Sequence, residues 1–490
     1  MESLFVATEK KITMDKFFSQ IKIVPEGSVK KILNAGAKVV VADAECQNNI
    51  VSLSGKVIAE IVYLSAENVV CRAENSLDFI EKQRADFSLS EVFAEDCVSV
   101  ENVNFLGSDV VCSISHNVKL TGVYSYEIPK IENEEKEYVF NKKQLNLQKF
   151  VCACSDDFVV AEDVEKNLTN VEILQTSAKA LVTNYAVENG KIVIDGKILS
   201  DVLILSNNEI TSFAEEFDFK QEIAAEKALT DMSVNANVVL KNIMVTPEIK
   251  DEKTTFIFAV DLYAKAYVYE TTSYELVSDM FSLKNEIEPT YDYIEANSAL
   301  NSKNLTETVV IQSDVSQIED FDDVFGVSLA QVKVLDVASE EGKVFVSAEV
   351  SATAFYKTLS DIGSFAVSKP VVIEIEKETT QEFESVSFAI SVASFKVKAG
   401  KDLEVALNVR HTSKFVSKTS EQFIKSFETK QEKKSSNFGI KVYVSKQGQT
   451  VFNVAKILNV TPDTILSQNQ VDDVFESGQK IYVYSPVNLA

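Results

Sequence analysis

The most regular pattern along the chain is an alternation of apolar and polar residues with a period of two. Between Val51 and Tyr63, apolar or small residues occupy every second position, and polar residues such as Lys56 and Glu60 lie between them. Successive side chains of a β-strand point to opposite faces of its sheet, so this spacing predicts a long strand with one buried face. Similar strand-rich stretches are predicted at residues 110–126, 254–269 and 386–409.

The same pattern occurs three times. Residues 32–57 align without gaps with residues 173–198, and a third copy places Ala348 at the position of Gly196. The first inward positions of the three alternating strands are Val51, Ile192 and Val344. The small residues Gly55, Gly196 and Ala348 at the third inward position indicate a close approach by a facing sheet. A repeat of this length is typical of domains in tandem rather than of a thin solenoid.

These repeats predict a mainly β protein. We interpret each copy as an antiparallel β-sandwich-like domain. Runs of charged and polar residues set the predicted boundaries, and residues 418–437 are predicted to form a mobile polar linker. The predicted organisation is three β repeat domains at residues 1–130, 138–284 and 290–417, the linker at 418–437, and a small βααβ domain at 438–485.

The C-terminal segment has a different pattern. A short alternating strand ends at Gly448, and Thr450 can cap a helix whose apolar residues form one face. Thr461 followed by Pro462 predicts the start of a second helix, and Gly478 precedes a final strand. This order resembles a LysM module, a small βααβ carbohydrate-binding unit of bacterial and plant proteins.

The resemblance implies a ligand site. In LysM modules the sugar lies in a shallow groove between the loop after the first strand and the loop after the second helix. The matching residues are Gly448, Gln449, Thr450, Val451, Asn469, Gln470 and Val471. Structural capping is an equally good explanation for Thr450 and Asn469. Gln449 stands where the family usually has an aspartate, and Ser445 and Ser477 also depart from the usual pattern, which lowers the sugar affinity that we expect.

The composition of the chain limits the classes of partner that we expect it to bind. The chain carries 74 acidic and 48 basic residues, for a formal net charge of −26. Such a surface repels phosphate backbones, so we expect no nucleic-acid binding, and it also disfavours anionic membranes. No apolar run approaches the length of a transmembrane segment, and the first residues do not have the pattern of a signal peptide. A cytosolic protein is therefore expected.

Catalytic and metal-binding patterns are lacking in the sequence. Six cysteines occur at spacings that fit neither a disulfide framework nor a zinc site, so we expect reduced thiols. One of the two histidines, His116, follows Cys112 by four residues, which places the pair about 13 Å apart on a strand. That distance is too long for a nucleophile and its base. We expect a protein without enzymatic activity, cofactor or metal, although a hidden glycosidase pair of carboxylates stays open as an alternative.

Three related β domains followed by a LysM module, without a signal peptide, resemble spore coat morphogenetic proteins of the SipL type. The resemblance implies a protein that is made in the mother cell and docks on the surface of the forming spore, where it links the coat-basement ATPase to later coat layers. In that family the LysM module contacts protein rather than sugar. Our first hypothesis is therefore an adaptor of coat assembly. The alternatives are a protein that binds peptidoglycan or GlcNAc oligomers of the wall or spore cortex, and an extracellular adhesin, which the missing signal peptide disfavours.

Overall fold

A computed structural model describes residues 3–106, 108–131, 137–207, 209–250, 253–398, 402–433 and 439–484. Within these ranges the protein is mainly β, with several antiparallel sheets and two short helices. None of the helices in the described ranges has the length and apolar character needed to cross a membrane.

Residues 3–129, called unit 1, form two antiparallel sheets. The strands are β1 (Ser3–Thr13), β2 (Phe17–Ile23), β3 (Val29–Gln47), β4 (Ile50–Ser65), β5 (Val70–Arg84), β6 (Ser90–Leu106) and β7 (Asp109–Pro129). One sheet has the order β3-β4-β5. In the other sheet, β7 pairs with β6 and, successively along its length, with β2 and β1.

Residues 138–282, called unit 2, repeat this order of pairing. The strands are β8 (Tyr138–Lys166), β9 (Val171–Glu188), β10 (Lys191–Ser206), β11 (Glu209–Ala224), β12 (Ser233–Lys250) and β13 (Lys253–Ser282). One sheet has the order β9-β10-β11 and the other β12-β13-β8. The single long strand β8 therefore takes the place that β1 and β2 share in unit 1.

Residues 285–432, called unit 3, have the same order again. The strands are β14 (Asn285–Asp314), β15 (Phe321–Glu340), β16 (Lys343–Thr358), β17 (Ile362–Glu376), β18 (Glu382–Val397) and β19 (Asp402–Glu432). They form the sheets β15-β16-β17 and β14-β19-β18. Residues Val51, Ile192 and Val344 are each the second residue of a central strand, and none of them is exposed.

The predicted linker at 418–437 is wrong for residues 418–432, because these residues form the last part of β19. They pair with β14, and the last residue pair of this ladder is Asn285 and Glu432. Phe423 and Ile424 are buried in this stretch, and Lys425 makes an ion pair with Asp292 across the two strands, at 2.7 Å. A strand partner more than a hundred residues earlier therefore orders a segment whose composition indicates a linker. Residues 434–437 of the predicted linker lie outside the described residues.

The sequence suggested that the small inward residues make room for a facing sheet, but Gly55 and Gly196 make room for a side chain of their own sheet. Gly55 pairs with Phe79 and Gly196 with Phe219 on the neighbouring strand of the same sheet. A Cβ atom at Gly196 would lie 2.6 Å from the carbonyl oxygen of Leu181 and would overlap the ring of Phe219. The missing side chain thus leaves room for a cross-strand phenylalanine, which covers the glycine.

The three units contact one another through apolar clusters. The first joins Leu33, Val62, Leu64, Val70, Leu174, Leu203, Ile210 and Phe355. The second joins Val6, Ile128, Leu145, Leu147, Tyr274, Leu276, Ile294 and Phe423. Each cluster contains residues from all three units, so burial of apolar surface favours their assembly into one body.

The described residues 439–484, called the C-terminal module, have the order βααβ. The elements are β20 (Ile440–Val444), α1 (Val451–Leu458), α2 (Pro462–Gln468) and β21 (Lys480–Tyr484). Strands β20 and β21 form an antiparallel pair. The helix starts follow local sequence, since Thr450 and Thr461 are N-caps and Pro462 occupies the first turn of α2.

Candidate functional site

The two loops that the sequence assigns to a ligand groove are joined to each other by backbone hydrogen bonds. The Gly448 amide donates to the carbonyl of Phe475 at 3.0 Å, and the Phe475 amide donates to the carbonyl of Gln449 at 2.8 Å. The Val451 amide donates to Asp473 at 2.9 Å. Gly448 has a φ of 78°, in the left-handed region that favours glycine. Much of the polar backbone of the first loop is therefore used inside the module.

Gln449, which replaces the usual aspartate, also points to partners within the module. Its side-chain oxygen accepts a hydrogen bond from the Lys446 amide at 2.8 Å. Its side-chain nitrogen lies 3.0 Å from the hydroxyl of Tyr443. These bonds hold the amide across the base of the loop, where it stabilises the turn before α1.

Thr450 and Val451 have structural contacts of their own. The Thr450 hydroxyl accepts a hydrogen bond from the Asn453 amide at 3.2 Å, and the Asn453 side chain accepts one from the Thr450 amide at 2.9 Å. This reciprocal pair is a capping box, which satisfies free N–H groups at the start of α1. Val451 is buried in the apolar core of the module.

The Asn469 side chain completes the free edge of β21. Its nitrogen donates to the carbonyls of Ile465 and Tyr482, at 2.9 and 2.7 Å, and its oxygen accepts from the Tyr482 amide at 2.8 Å. Gln468 pairs in the same way with Tyr484. These amides imitate a neighbouring strand, so both capping and edge protection account for Asn469.

The open part of the groove is the start of the second loop. Gln470 is exposed and Val471 packs at the margin of the core. Neither has a hydrogen bond to another of the residues that the structure describes. Among the seven predicted ligand residues, these two offer polar backbone groups to an incoming molecule. Ligand contact at the groove stays a prediction.

An exposed apolar face on the two-stranded sheet was missed in the sequence. Its residues are Ile440, Val442, Val444, Tyr482 and Tyr484, with exposed fractions between 38% and 61%. The inward face of the same sheet carries Ile481 and Val483, which are buried. The near-continuous apolar run 440–444 was the available signal for this face. A strand that carries apolar residues on both of its faces has one apolar face left over after the other packs on the core.

Helix α1 docks the module on the end of unit 2. The rings of Phe452 and Phe281 meet edge to face with centroids 5.5 Å apart. The Asn459 side chain donates to the carbonyl of Leu283 at 2.9 Å, and Lys433 donates to the Asn459 side chain at 2.7 Å. Because apolar and polar contacts combine here, the groove and the exposed sheet face have a defined orientation on the body.

Both histidines are buried, and the cysteines whose side chains the structure describes lie in apolar cores or pack against them: Cys46, Cys71, Cys112, Cys152 and Cys154. His116 is buried between the rings of Phe17 and Phe79, and His411 packs on Phe388. Burial raises the pKa of the Cys154 thiol to about 11, which disfavours the reactive thiolate. Within the described ranges, no group of three or more His, Cys, Asp or Glu residues has the arrangement of a metal site.

Comparison with known proteins gives one match. The family model described as SipL, SPOCS domain, matches residues 171–248, which run from the first residue of β9 to near the end of β12. No curated protein and no solved structure matches the chain. Over this part of unit 2 the chain is similar to sporulation proteins of the SipL family, and the match supports a sporulation-related role.

Proposed function

We propose that the protein is a non-enzymatic adaptor of spore coat assembly that acts at the forespore surface in the mother cell. In this proposal the C-terminal module is a LysM module that binds a coat morphogenetic protein, with the coat-basement ATPase as the first candidate. Units 1–3 are three copies of one β-sandwich-like domain and form the scaffold that holds the module. The SipL-family match to residues 171–248 supports the sporulation context.

The observation that carries the adaptor function is the exposed apolar face of β20 and β21. Two tyrosines and three branched aliphatic residues lie together on it. Aromatic and aliphatic anchors in a contiguous patch are typical of protein interfaces. Lys480 lies on the same face, paired across the strands with Val444, and adds a cation at the border of the patch. A protein partner can cover this face entirely, whereas a sugar chain in a shallow groove cannot.

Three pairs of sheets with one order of pairing support the repeat interpretation. In each unit the last strand, β7, β13 or β19, is central to one sheet, and the three middle strands form the other. The family match covers the three middle strands of unit 2 and most of β12. Equivalent strands in units 1 and 3 would then be further copies whose sequences have diverged.

A second function, binding of peptidoglycan or GlcNAc oligomers, is favoured by one observation. The backbone groups of Gln470 and Val471 are open at the groove, where LysM modules contact an N-acetyl group. The small area of a single groove predicts weak binding, with a Kd on the order of 1 mM or about −4 kcal/mol. We propose this as the lesser activity, because Gln449, Thr450 and Asn469 are engaged in internal hydrogen bonds.

The test compares protein and sugar binding by the full chain. Val442→Glu places a charge in the exposed face, and Val372→Glu places the same charge on an exposed valine of β17 as the matched control. We expect Val442→Glu to weaken binding to the purified coat-basement ATPase at least tenfold, about 1.4 kcal/mol, and the control to leave it unchanged. Micromolar binding of GlcNAc oligomers together with undetectable binding of the ATPase would reject the adaptor and favour the wall-binding protein.

A further inference from the structure

The two edges of the sheet in the C-terminal module differ in how their backbone groups are used. On β21, the Tyr482 amide donates to the Asn469 side chain at 2.8 Å, and the Tyr482 carbonyl accepts from it at 2.7 Å. The amide and carbonyl of Tyr484 bond in the same way to the Gln468 side chain. These side-chain amides occupy the outer edge of β21, so a further strand cannot pair there.

The pairing register fixes where the backbone groups of β20 point. Tyr482 lies opposite Val442 in the antiparallel pair. Both backbone groups of Tyr482 point away from β20, so this is a pair without mutual hydrogen bonds, and the groups of Val442 point away from β21. The orientation repeats every two residues. The outer edge of β20 therefore presents the N–H and C=O groups of Ile440, Val442 and Val444.

These outward groups are open. In the part of the chain that the structure describes, no residue forms a hydrogen bond with them on this side of β20. Alternate residues of a strand lie about 7 Å apart, and each of the three presents one donor and one acceptor. The backbone of another strand has donors and acceptors at the same spacing, whereas a sugar chain does not. The free edge is therefore suited to an added strand.

The side chains of the same residues lie on the exposed apolar face. Ile440, Val442 and Val444 are 61%, 55% and 54% exposed. Lys441 and Tyr443, which lie between them in the sequence, point to the other face and are partly buried. An added strand would place every second side chain beside the three aliphatic groups. Apolar residues at alternate positions of that strand would extend the apolar face.

The charge of this part of the module is positive. Residues 439–449 and 478–484, which include both strands, contain Lys441, Lys446 and Lys480 and no acidic residue. The four acidic residues of the module lie in α2 and the loop after it, at positions 463, 472, 473 and 476. Opposite charges on neighbouring strands stabilise their pairing. Carboxylates at the remaining positions of an added segment therefore suit this edge.

A second copy of the chain suits the edge poorly. Pairing of β20 with itself would bring the lysines of two modules together. Each chain also has a formal net charge of −26, which opposes self-association. The occupant that fits the edge is a segment of a different protein.

We propose that the outer edge of β20 binds an extended segment of a partner protein as an antiparallel third strand. The segment has apolar side chains at alternate positions and carboxylates between them. Backbone hydrogen bonds to Ile440, Val442 and Val444 supply affinity, and the apolar face and the lysines select the segment. This inference rests on the proposed function, because it states how the partner binds the face that was assigned to it.

The first test uses the full chain and a synthetic probe. The probe is a seven-residue peptide that alternates glutamate and valine, begins and ends with glutamate, and is acetylated and amidated. We expect saturable binding with a Kd below about 1 mM. We also expect slower hydrogen exchange at the amides of Ile440, Val442 and Val444. Absence of binding by the probe would overturn the proposal.

Two N-methylated peptides test whether the probe binds as a strand. When the valines lie opposite Ile440, Val442 and Val444, the valine amides point at β20 and the glutamate amides point away. N-methyl groups on the three valine amides should therefore weaken binding at least tenfold. N-methyl groups on the last three glutamates are the matched control and should leave binding unchanged. Equal binding by the two peptides would reject strand addition.

A proline substitution tests the edge in the protein itself. Val442→Pro removes an outward N–H group without removing a hydrogen bond to β21, and proline is tolerated on the outer side of an edge strand. Val442→Thr keeps the N–H group and the branched shape, so it is the matched control. We expect Val442→Pro to weaken probe binding at least tenfold and Val442→Thr to have little effect. Unchanged hydrogen exchange in α1 checks that the module of Val442→Pro is folded, and unchanged probe binding by this variant would overturn the proposal.

The added strand and the adaptor function fail on different results. If Val442→Glu weakens binding of the ATPase and Val442→Pro does not, the face binds its partner without an added strand, and the inference is rejected. If the probe binds as expected and the ATPase does not bind the unaltered chain, the strand-binding edge stands and the proposed partner is wrong. A dimer of the free chain that Val442→Pro dissociates would reject the inference in favour of a second copy.

Discussion

The ammonium group of Lys456 lies 2.8 Å from each carboxylate oxygen of Asp279, and this ion pair joins helix α1 to the end of β13. Both side chains are partly exposed, with 39% and 25% of their surfaces accessible. A pair of this kind contributes about 0.2–1 kcal/mol, so it orients the module more than it holds it. The larger contribution at this interface comes from the buried ring of Phe281.

Removal of that ring should loosen the module. Phe281→Ala deletes a ring that is 3% exposed and contacts Phe452, a change that typically costs about 3–5 kcal/mol in a core. We expect faster hydrogen exchange in α1, measured by mass spectrometry of the full chain. Phe5→Ala removes an exposed ring of β1 and serves as the control. Unchanged exchange in Phe281→Ala would show that the docking contact contributes little.

The two glycines Gly196 and Gly326 should respond differently to an added methyl group. At Gly196 the new Cβ atom would collide with Leu181 and Phe219, so Gly196→Ala is expected to destabilise the protein by about 1–3 kcal/mol. At Gly326 the nearest atom would lie 3.7 Å away, an ordinary contact, and the change should be nearly neutral. Urea denaturation of both variants measures the difference. Equal midpoints would contradict the packing described for Gly196.

Asn469 should be important for stability whether or not the groove binds a ligand. Asn469→Ala removes the hydrogen bonds to the carbonyl and amide of Tyr482, at a cost of about 0.5–1.5 kcal/mol for each bond, because water can replace the lost amide at this exposed edge. Gln470→Ala, at the exposed neighbour, should be nearly neutral. Thermal denaturation, followed by hydrogen exchange in the C-terminal module, distinguishes the two variants. Full stability of Asn469→Ala would remove the edge-protection role.

Asp201 should give the protein a pH dependence that opposes ordinary acid unfolding. Burial raises the pKa of Asp201 to about 6, although backbone amides of Val392 and Ala330 act in the opposite direction. Between about pH 4 and 6 the folded state then holds a proton that the unfolded state has released, so the contribution of this group falls as pH rises. Below about pH 4 the buried carboxyl is protonated and does not destabilise the folded state. Above pH 6 the buried carboxylate is ionised and lowers the free energy of unfolding by about 2–3 kcal/mol.

Asp201→Asn should therefore stabilise the protein at pH 7 and remove this part of the pH dependence. Denaturation midpoints between pH 4 and 7 provide the measurement. Asp231→Asn, on the exposed turn before β12, is the control and should follow the wild type. A variant that is less stable at pH 7 than the wild type would show that the ionised carboxylate is well satisfied by its backbone donors.

Strand alternation and helix starts could be predicted from the sequence, because residues a few positions apart determine them. The period of two around Val51 and Ile192 predicts strands, and both residues are buried in central strands. Thr450 and Pro462 predict helix starts, and α1 and α2 begin where they indicate. Caps and alternation depend on residues a few positions apart, so the sequence carries them directly.

Other features depend on partners that are distant along the chain. Residues 418–432 have the composition of a linker, but the unpaired edge of β14 makes a strand more favourable there. The docking of Phe452 on Phe281 and a cleft between units 1–3 likewise arise only when separate parts of the chain meet. The exposure of the outer face of β20 and β21 is also a tertiary property, because the apolar run 440–444 does not say which of its two faces the module covers. The sequence by itself determined which residues alternate, cap and turn. Only the tertiary structure decided which surfaces are covered, because burial depends on contacts between segments that no local pattern specifies.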